Sequence, residues 1–160
     1  YRKFHDSPSR VWITFDRREI LNASDVTYAV HHGKVYEQLK VHNQLNPIPY
    51  HDDWKVMFHS LERQALVQAS DAAENRLIDQ GIFKGDHLYD PLMKYSSLSI
   101  EEAMNDENVI VRAYSMLDRR LGKRRLIKLH FLEDTHPLII NFYKIRCEVE
   151  GIKSSNSVAF

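Results

Sequence analysis

The sequence predicts an α+β domain that is mainly α, with an N-terminal β-hairpin or small antiparallel sheet packed on a bundle of about six helices. Residues 11–15 form a dense β-branched and aromatic run, whereas apolar residues recur at helical spacing from residue 22 onward. With 160 residues, 43% of them hydrophobic, the chain is long enough to bury its own core. We therefore expect one globular domain over residues 1–152 and a flexible C-terminal tail over residues 153–160.

The N-terminal hairpin is predicted from two strand-like runs, Val11–Phe15 and Glu19–Leu21, which flank the polar residues Asp16–Arg18. Tyr1–Phe4, which precedes a turn-forming cluster around Pro8, can supply a third strand. A sheet of two or three strands is marginally stable alone, so we expect it to pack on helices.

Two long helical patterns follow. Ser24 is the predicted N-cap of the first, and Pro47 and Pro49 lie in the segment that ends it. Its predicted buried stripe consists of Val26, Ala29, Val30, Gly33, Tyr36 and Leu39.

The second pattern covers about residues 53–80, is closed by Gly81, and fits one long helix or two collinear ones. Its predicted stripe consists of Trp54, Met57, Phe58, Leu61, Ala65, Ala69, Ala72 and Leu77.

Shorter helices are predicted after residue 85. Asp90 can cap a helix that starts at Pro91, and Ser99 has capping-box spacing to Glu102. Residues 108–121 predict an amphipathic helix that stops at Gly122.

The C-terminal part of the chain, after residue 125, is also predicted to be mainly helical. One or two helical turns are expected over residues 126–131. Pro137 starts a last helix, with His136 at a cap position, and Gly151 ends it.

Composition excludes several classes of protein. Lys and Arg together number 22, as do Asp and Glu, so no overall positive charge attracts nucleic acid or membrane. Cys147 is the sole cysteine, which excludes an intramolecular disulfide and a cysteine-based zinc site and fits a reducing cytoplasm. Neither a spanning apolar run nor a signal peptide is present, so we expect no membrane association and a cytoplasmic location. The absent initiator methionine indicates a sequence trimmed at its N-terminus.

Basic residues concentrate between positions 112 and 128, where Asp118 is the one acid. They are Arg112, Arg119, Arg120, Lys123, Arg124, Arg125 and Lys128. On one helix, Arg112 and Arg119 fall on the face opposite the apolar residues, and Lys123 joins them if the helix continues. Those apolar residues are Ile110, Tyr114, Leu117 and Leu121. The pattern therefore predicts a basic stripe that points outward.

Three interpretations of the basic stripe stay open. It can contact an acidic surface of another protein, or it can hold the phosphates of nucleic acid or a nucleotide-like ligand. It can also be a solvated face whose cations complement the helix dipole and are partly neutralised by nearby acids. No helix-turn-helix or RNP motif supports nucleic acid. For a bound partner, the predicted contact residues are Arg112, Arg119, Arg120, Lys123, Arg124 and Arg125.

A second candidate site combines His51, Asp52, His59 and Glu62. On one helix, Asp52, His59 and Glu62 share a sector opposite the apolar stripe and could act as an acid/base group or converge on an ion. The spacing matches no zinc motif, and HExxH is absent. The alternative is an ordinary helix start, in which the aspartates cap the helix and Glu62 pairs with a neighbouring cation.

The remaining reactive or aromatic residues are predicted to have structural roles. Of His31 and His32, one is expected to face solvent and the other to reach the core, and Cys147 is expected to be packed and inert. Five aromatic residues are predicted to pack rather than to stack on a ligand: Tyr89, Tyr95, Tyr114, Phe142 and Tyr143. No GxSxG, Walker A or GxGxxG motif is present, so we do not expect an enzyme on a glycine-loop scaffold; we also expect no metal and no cofactor.

Four segments resemble an uncharacterised family of short bacterial cytoplasmic proteins with no assigned function. They are Asn22–Tyr28, Asp53–Arg63, Leu117–Leu126 and His136–Ile152. The resemblance covers most of the chain and implies a stand-alone protein of the bacterial cytoplasm, but it brings no activity, ligand or catalytic residue.

These observations together predict a small non-enzymatic binding module, such as a regulator or a neutralising partner of another protein. Binding of nucleic acid or a phosphate ligand through the basic stripe is the first alternative. An enzyme with the His/Asp/Glu site is the second. The sequence does not set the oligomeric state.

Overall fold

The computed structural model describes residues 8–152 and contains two strands and eight helices in that part of the chain. The strands form one hairpin and the rest is largely helical, which confirms the predicted α+β, mainly α class. Tyr1–Phe4, the predicted third strand, and the predicted tail over residues 153–160 lie outside the described residues.

The described residues form two compact units. The first contains residues 8–9 and 24–83, and the second contains residues 10–23 and 84–152. The single domain over residues 1–152 stays a prediction.

The hairpin consists of β1 (Arg10–Phe15) and β2 (Arg18–Ser24). Asp16 and Arg17 between them have φ values of 48° and 63°. Two successive positive φ angles define a type I′ turn, whose twist matches that of the flanking strands. The predicted hairpin is therefore confirmed.

The first long helix, α1 (Asp25–His42), begins at its predicted cap, because the Ser24 side chain accepts a hydrogen bond from the Thr27 N–H. Its predicted buried face is wrong in the first half of the helix and right in the second, where Leu39 is buried and Tyr36 packs against the same cluster. Tyr28 and Leu39 are buried, whereas four members of the predicted stripe are exposed: Val26, Ala29, Val30 and Gly33. Tyr28, which the predicted stripe does not include, is buried in the first half instead, because its side chain is larger than that of Val26 or Val30 and removes more apolar area from water.

A short helix and a long one replace the second predicted pattern. They are α2 (Trp54–Phe58) and α3 (Leu61–Asp79), separated where the Ser60 side chain accepts a hydrogen bond from the Arg63 N–H. The first half of the predicted stripe is wrong, because Trp54, Phe58 and Leu61 are exposed. The second half contributes to the core through Ala69 and Leu77.

Helix α3 packs against α1 and ends as predicted. Leu39 of α1 forms a buried cluster with Ala69 and Ala73 of α3, whose small side chains let the two helices approach closely. Gly81 has a φ of 75°, and the N–H of Ile82 donates to the Leu77 carbonyl at 2.8 Å. This is the Schellman arrangement that closes a helix at glycine.

The second unit contains the hairpin and the remaining five helices of the described residues. The predicted start of α4 at Pro91 is wrong, because α4 spans Asp86–Ser96 and Pro91 lies inside it. Pro91 fits the helix because its φ is fixed near the helical value. Proline has no backbone N–H, so the helix lacks the hydrogen bond that residue 91 would donate to the His87 carbonyl. Helix α5 (Ile100–Met104) begins at the predicted capping box of Ser99 and Glu102.

Helix α6 (Val109–Leu117) packs against α4, α5 and α8 and is the apolar centre of this unit. The prediction that it runs to residue 121 is wrong, because Asp118 adopts an extended conformation with a ψ of 134°. A four-residue helix, α7 (Lys123–Leu126), follows and replaces the turns predicted over residues 126–131.

The last helix, α8 (Pro137–Glu150), confirms its predicted ends. His136 Nδ1 accepts a hydrogen bond from the Leu138 N–H, Pro137 is the first helical residue, and Gly151 follows the last one with a φ of 66°. Phe142 is fully buried against the neighbouring helices. Within residues 8–152, no helix has both the length and the apolar character that crossing a bilayer requires.

Two glycine substitutions test these helix assignments. Gly81→Ala is expected to destabilise the protein by about 1 kcal/mol, because an L-residue is strained at positive φ. Gly33→Ala is the matched control, since Gly33 lies within α1 and a Cβ there meets no atom within 4 Å. It is expected to stabilise by roughly 0.5–1 kcal/mol. Urea unfolding measures both, and equal effects of the two substitutions would contradict the assignment.

Candidate functional site

Arg112 does not belong to an outward-facing stripe. It lies in α6 and is half-buried, and its Nε is buried with no hydrogen-bond partner among residues 8–152. Because α6 ends at Leu117, its helical alignment with Arg119 and Lys123 does not exist. The predicted stripe is wrong in this respect, and the cations that remain together follow α6. We call them the basic corner: Arg119, Arg120, Lys123, Arg124, Arg125 and Lys128.

Asp118 holds one side of the basic corner. Its Oδ2 accepts hydrogen bonds from the Tyr95 hydroxyl and from Arg120 Nε, the latter at 2.8 Å. Arg120 Nη1 also donates to the Leu98 carbonyl at 2.7 Å. Burial alone would raise the pKa of Asp118, but the hydrogen bonds from Tyr95 and Arg120 lower it below its ordinary value. Arg120 therefore joins the end of α6 to the segment that follows α4.

Two more cations of the basic corner join α7 to its neighbours. Lys123 Nζ lies 2.8 Å from Oε2 of Glu150 in α8, and Arg125 Nη1 lies 2.7 Å from Oε1 of Glu101 in α5. The hydrogen bond from Lys123 lowers the pKa of Glu150, and the one from Arg125 lowers the pKa of Glu101. Three of the six predicted contact residues, Arg120 among them, thus form ion pairs within this unit, and the pairs of Lys123 and Arg125 join different helices.

Arg119, Arg124 and Lys128 differ from these three. All are exposed, and within residues 8–152 none of them forms an ion pair. Arg119 lies close enough to Glu150 for its charge to lower the pKa of that carboxyl further. The basic corner therefore keeps an excess of positive charge at the surface.

The four residues of the predicted His/Asp/Glu site do not converge. His51 precedes α2, and its Nδ1 accepts a hydrogen bond from the Asp53 N–H at 2.9 Å. His59 follows α2, and no hydrogen bond or ion pair joins it to Asp52 or Glu62. The predicted shared sector is wrong, because Ser60 starts a new helix between His59 and Glu62. Within residues 8–152, no group of three His, Cys, Asp or Glu side chains could hold a metal ion.

The predicted roles of the paired histidines are confirmed. His31 is exposed, whereas His32 Nε2 lies 3.1 Å from the Ser70 carbonyl oxygen. The His32 ring stacks with Tyr28 and Tyr36, at centroid distances of 5.5 and 6.1 Å. His32 therefore belongs to the packing between α1 and α3.

Packing also accounts for most of the predicted aromatic set and for the cysteine. Phe142 and Cys147 are buried, as predicted. Tyr114 is half-buried, its hydroxyl donates to the Leu88 carbonyl at 3.1 Å, and burial raises its pKa to about 12. Tyr89 is the exception among them, because it is exposed.

Sequence reasoning missed an exposed apolar strip around α2. We call it the α2 strip, and it consists of Tyr50, Trp54, Phe58 and Leu61. Three of these residues, Trp54, Phe58 and Leu61, belong to the predicted core stripe of the second helical pattern. The signal that could have found the break is Ser60, a good N-cap followed two residues later by the acid Glu62.

A family model described as the SF0329 protein family matches residues 1–147. The chain belongs to this family. That membership confirms the resemblance to an uncharacterised family, and the matched range includes residues of both compact units. No curated protein and no solved structure matches the chain.

Replacing Asp118 tests the junction after α6. Asp118→Asn keeps the side-chain size but removes the charged acceptor of Tyr95 and Arg120, so we expect a loss of roughly 1–3 kcal/mol at about pH 7. Because folding lowers the pKa of Asp118 below 3.8, its contribution is present above that value and is lost as the pH falls through the folded-state pKa.

Urea unfolding at about pH 7 and about pH 2.5 measures this effect. The difference between wild type and Asp118→Asn is expected to shrink at the lower pH. Asp71→Asn, at an exposed position of α3, is the control and is expected to change stability by less than about 0.5 kcal/mol. If Asp118→Asn lowered the free energy of unfolding equally at both pH values, the result would contradict the assignment.

Proposed function

We propose that this protein is a binding module without catalytic activity, which contacts an acidic surface of another protein through the basic corner. The observation that supports the proposal is the exposure of Arg119, Arg124 and Lys128, none of which is ion-paired within residues 8–152. Exposed cations of one sign attract an acidic partner and orient it during encounter.

The ion pairs within the basic corner support the same proposal. Arg120 and Arg125 are held by Asp118 and Glu101, but their side chains are each 46% exposed. A guanidinium has five N–H donors, so each keeps hydrogen-bonding capacity for a further carboxylate. Their positions are fixed before a partner arrives, which reduces the entropy that binding loses.

The proposal places the protein in the bacterial cytoplasm, as the family resemblance implies. The buried, lone Cys147 fits that reducing compartment. The second candidate is binding of nucleic acid through the same residues, because arginine side chains recognise phosphate as readily as carboxylate.

Charge reversal of the basic corner tests the proposal. The probes are a fluorescent peptide of alternating glutamate and serine and a fluorescent DNA duplex, and fluorescence anisotropy measures the affinity of each. At about 50 mM salt, where charge attraction is little screened, the wild type is expected to bind the peptide. Arg119→Glu combined with Arg124→Glu is expected to weaken that binding at least about tenfold.

A matched control separates the basic corner from overall charge. Lys34→Glu combined with Arg76→Glu makes the same change of charge at exposed helix positions of the other unit, and its affinity is expected to stay within about twofold of wild type. Failure of the wild type to bind the peptide would overturn the proposal, as would an equal loss in the control. Binding of the duplex alone, with an affinity that falls steeply with salt, would favour the second candidate.

A further inference from the structure

The basic corner contains one large apolar side chain that is exposed, that of Ile127. This residue is 55% exposed and lies between Arg124 and Lys128 along the chain, in a stretch of residues 119–128 that has no acid. A single exposed isoleucine is common on protein surfaces and by itself indicates nothing. What matters for Ile127 is its position relative to the exposed cations.

Helical geometry places Ile127 on the same face as two of those cations. The helical conformation of α7 continues past its last residue, because Ile127 has a φ of −62° and a ψ of −28° and the N–H of Lys128 donates to the Arg125 carbonyl at 3.0 Å. Arg124, Ile127 and Lys128 are three and four positions apart, so they share one side of this helical segment. Leu126, on the opposite side, is fully buried. We call the three residues Arg124, Ile127 and Lys128 the Ile127 face.

Two ion pairs hold the segment so that the Ile127 face is directed to solvent. Lys123 and Arg125 lie on either side of this face, about 100° from Arg124 around the helix axis. Lys123 pairs with Glu150 in α8, and Arg125 pairs with Glu101 in α5. The three residues of the Ile127 face, between these two anchored sides, are all exposed.

The charge around the Ile127 face stays positive when the neighbouring acids are counted. Arg146 of α8 also pairs with Glu150, so the basic corner and this arginine together supply seven cations. The acids that pair with these cations or adjoin such an acid in α5 number four: Asp118, Glu101, Glu102 and Glu150. Glu133 and Asp134, further along the chain, form no ion pair within residues 8–152. The excess charge therefore includes both cations of the Ile127 face.

Charged and apolar contacts contribute differently at such a surface. Exposed ion pairs contribute little to affinity, because water screens them and long side chains lose entropy when they are held. Covering Ile127 with another aliphatic side chain removes apolar area of both from water, which is favourable. A purely polar acidic segment would use only the charges of the Ile127 face, and the backbone of a nucleic acid has phosphates but no aliphatic side chain.

We propose that the acidic partner presents a large aliphatic residue between its carboxylates. The aliphatic side chain covers Ile127, while the carboxylates pair with Arg124 and Lys128. This inference rests on the proposed function, because it requires an acidic protein at the basic corner. It adds the contact that selects one acidic segment from others, since charge alone attracts all of them.

Two fluorescent peptides that differ at one residue test the proposal. Both have the same glutamates and serines, and one has leucine in place of the central serine. Fluorescence anisotropy with the complete 160-residue chain, at about 50 mM salt, measures both affinities. The wild type is expected to bind the leucine peptide at least about fivefold more tightly than the serine peptide.

Variants of Ile127 assign that preference to its side chain. Ile127→Ser is expected to reduce the preference for the leucine peptide to within about twofold and to leave the affinity for the serine peptide within about twofold of wild type. Ile127→Leu keeps an aliphatic side chain and is expected to keep the preference. Val41→Ser is the matched control, because Val41 is an exposed β-branched residue in the last turn of α1, in the other unit, and it is expected to change neither affinity.

The outcomes separate this inference from the proposed function. If the wild type binds both peptides equally, the aliphatic contact is excluded and the acidic partner of the basic corner remains. If Ile127→Ser keeps the full preference for leucine, the aliphatic residue contacts another surface and the inference fails. If neither peptide binds, both the inference and the proposed function are overturned.

Discussion

The second unit depends on the point where α6 stops. Asp118 takes an extended conformation after Leu117, and its carboxylate accepts hydrogen bonds from Tyr95 and Arg120. This turn leads the chain away from the apolar centre and into α7, beside α8. If α6 continued to residue 121, Asp118 would be helical and would lose its extended conformation. Arg119 and Arg120 would then lie on the surface of α6.

The ion pairs of the basic corner connect elements that are far apart in sequence. Arg125 reaches Glu101 in α5, and Lys123 reaches Glu150 in α8. Exposed ion pairs contribute little stability one by one, but each of these fixes the position of a short helix that has almost no core of its own. Structural and binding roles therefore coexist, since a cation held by one carboxylate still presents donors to solvent.

The first unit has a different physical character. Its buried cluster is small, with Leu39 packed on alanines of α3, and the stacked His32 contributes to the same helix pair. Large apolar side chains around α2, such as Trp54 and Leu61, stay exposed in this unit. The two units thus offer surfaces of opposite chemistry, one cationic and one apolar.

The sequence by itself determined the local features of this protein. The caps at Ser24, Ser99 and His136 and the stop at Gly151 were all predicted, because each depends on a hydrogen bond or a φ angle within about four residues. The fold class follows from the same local periodicities.

The tertiary structure decided which faces are buried and which charges are paired. On α1, the folded chain buries Tyr28 and Leu39 and leaves Val26 and Val30 exposed, although all four occupy apolar positions of the helix. The partners of Arg125 and Lys123 lie 24 and 27 positions away in the chain, so no local pattern identifies them. A single sequence records what each residue prefers, whereas burial and ion pairing depend on neighbours that only the folded chain brings together.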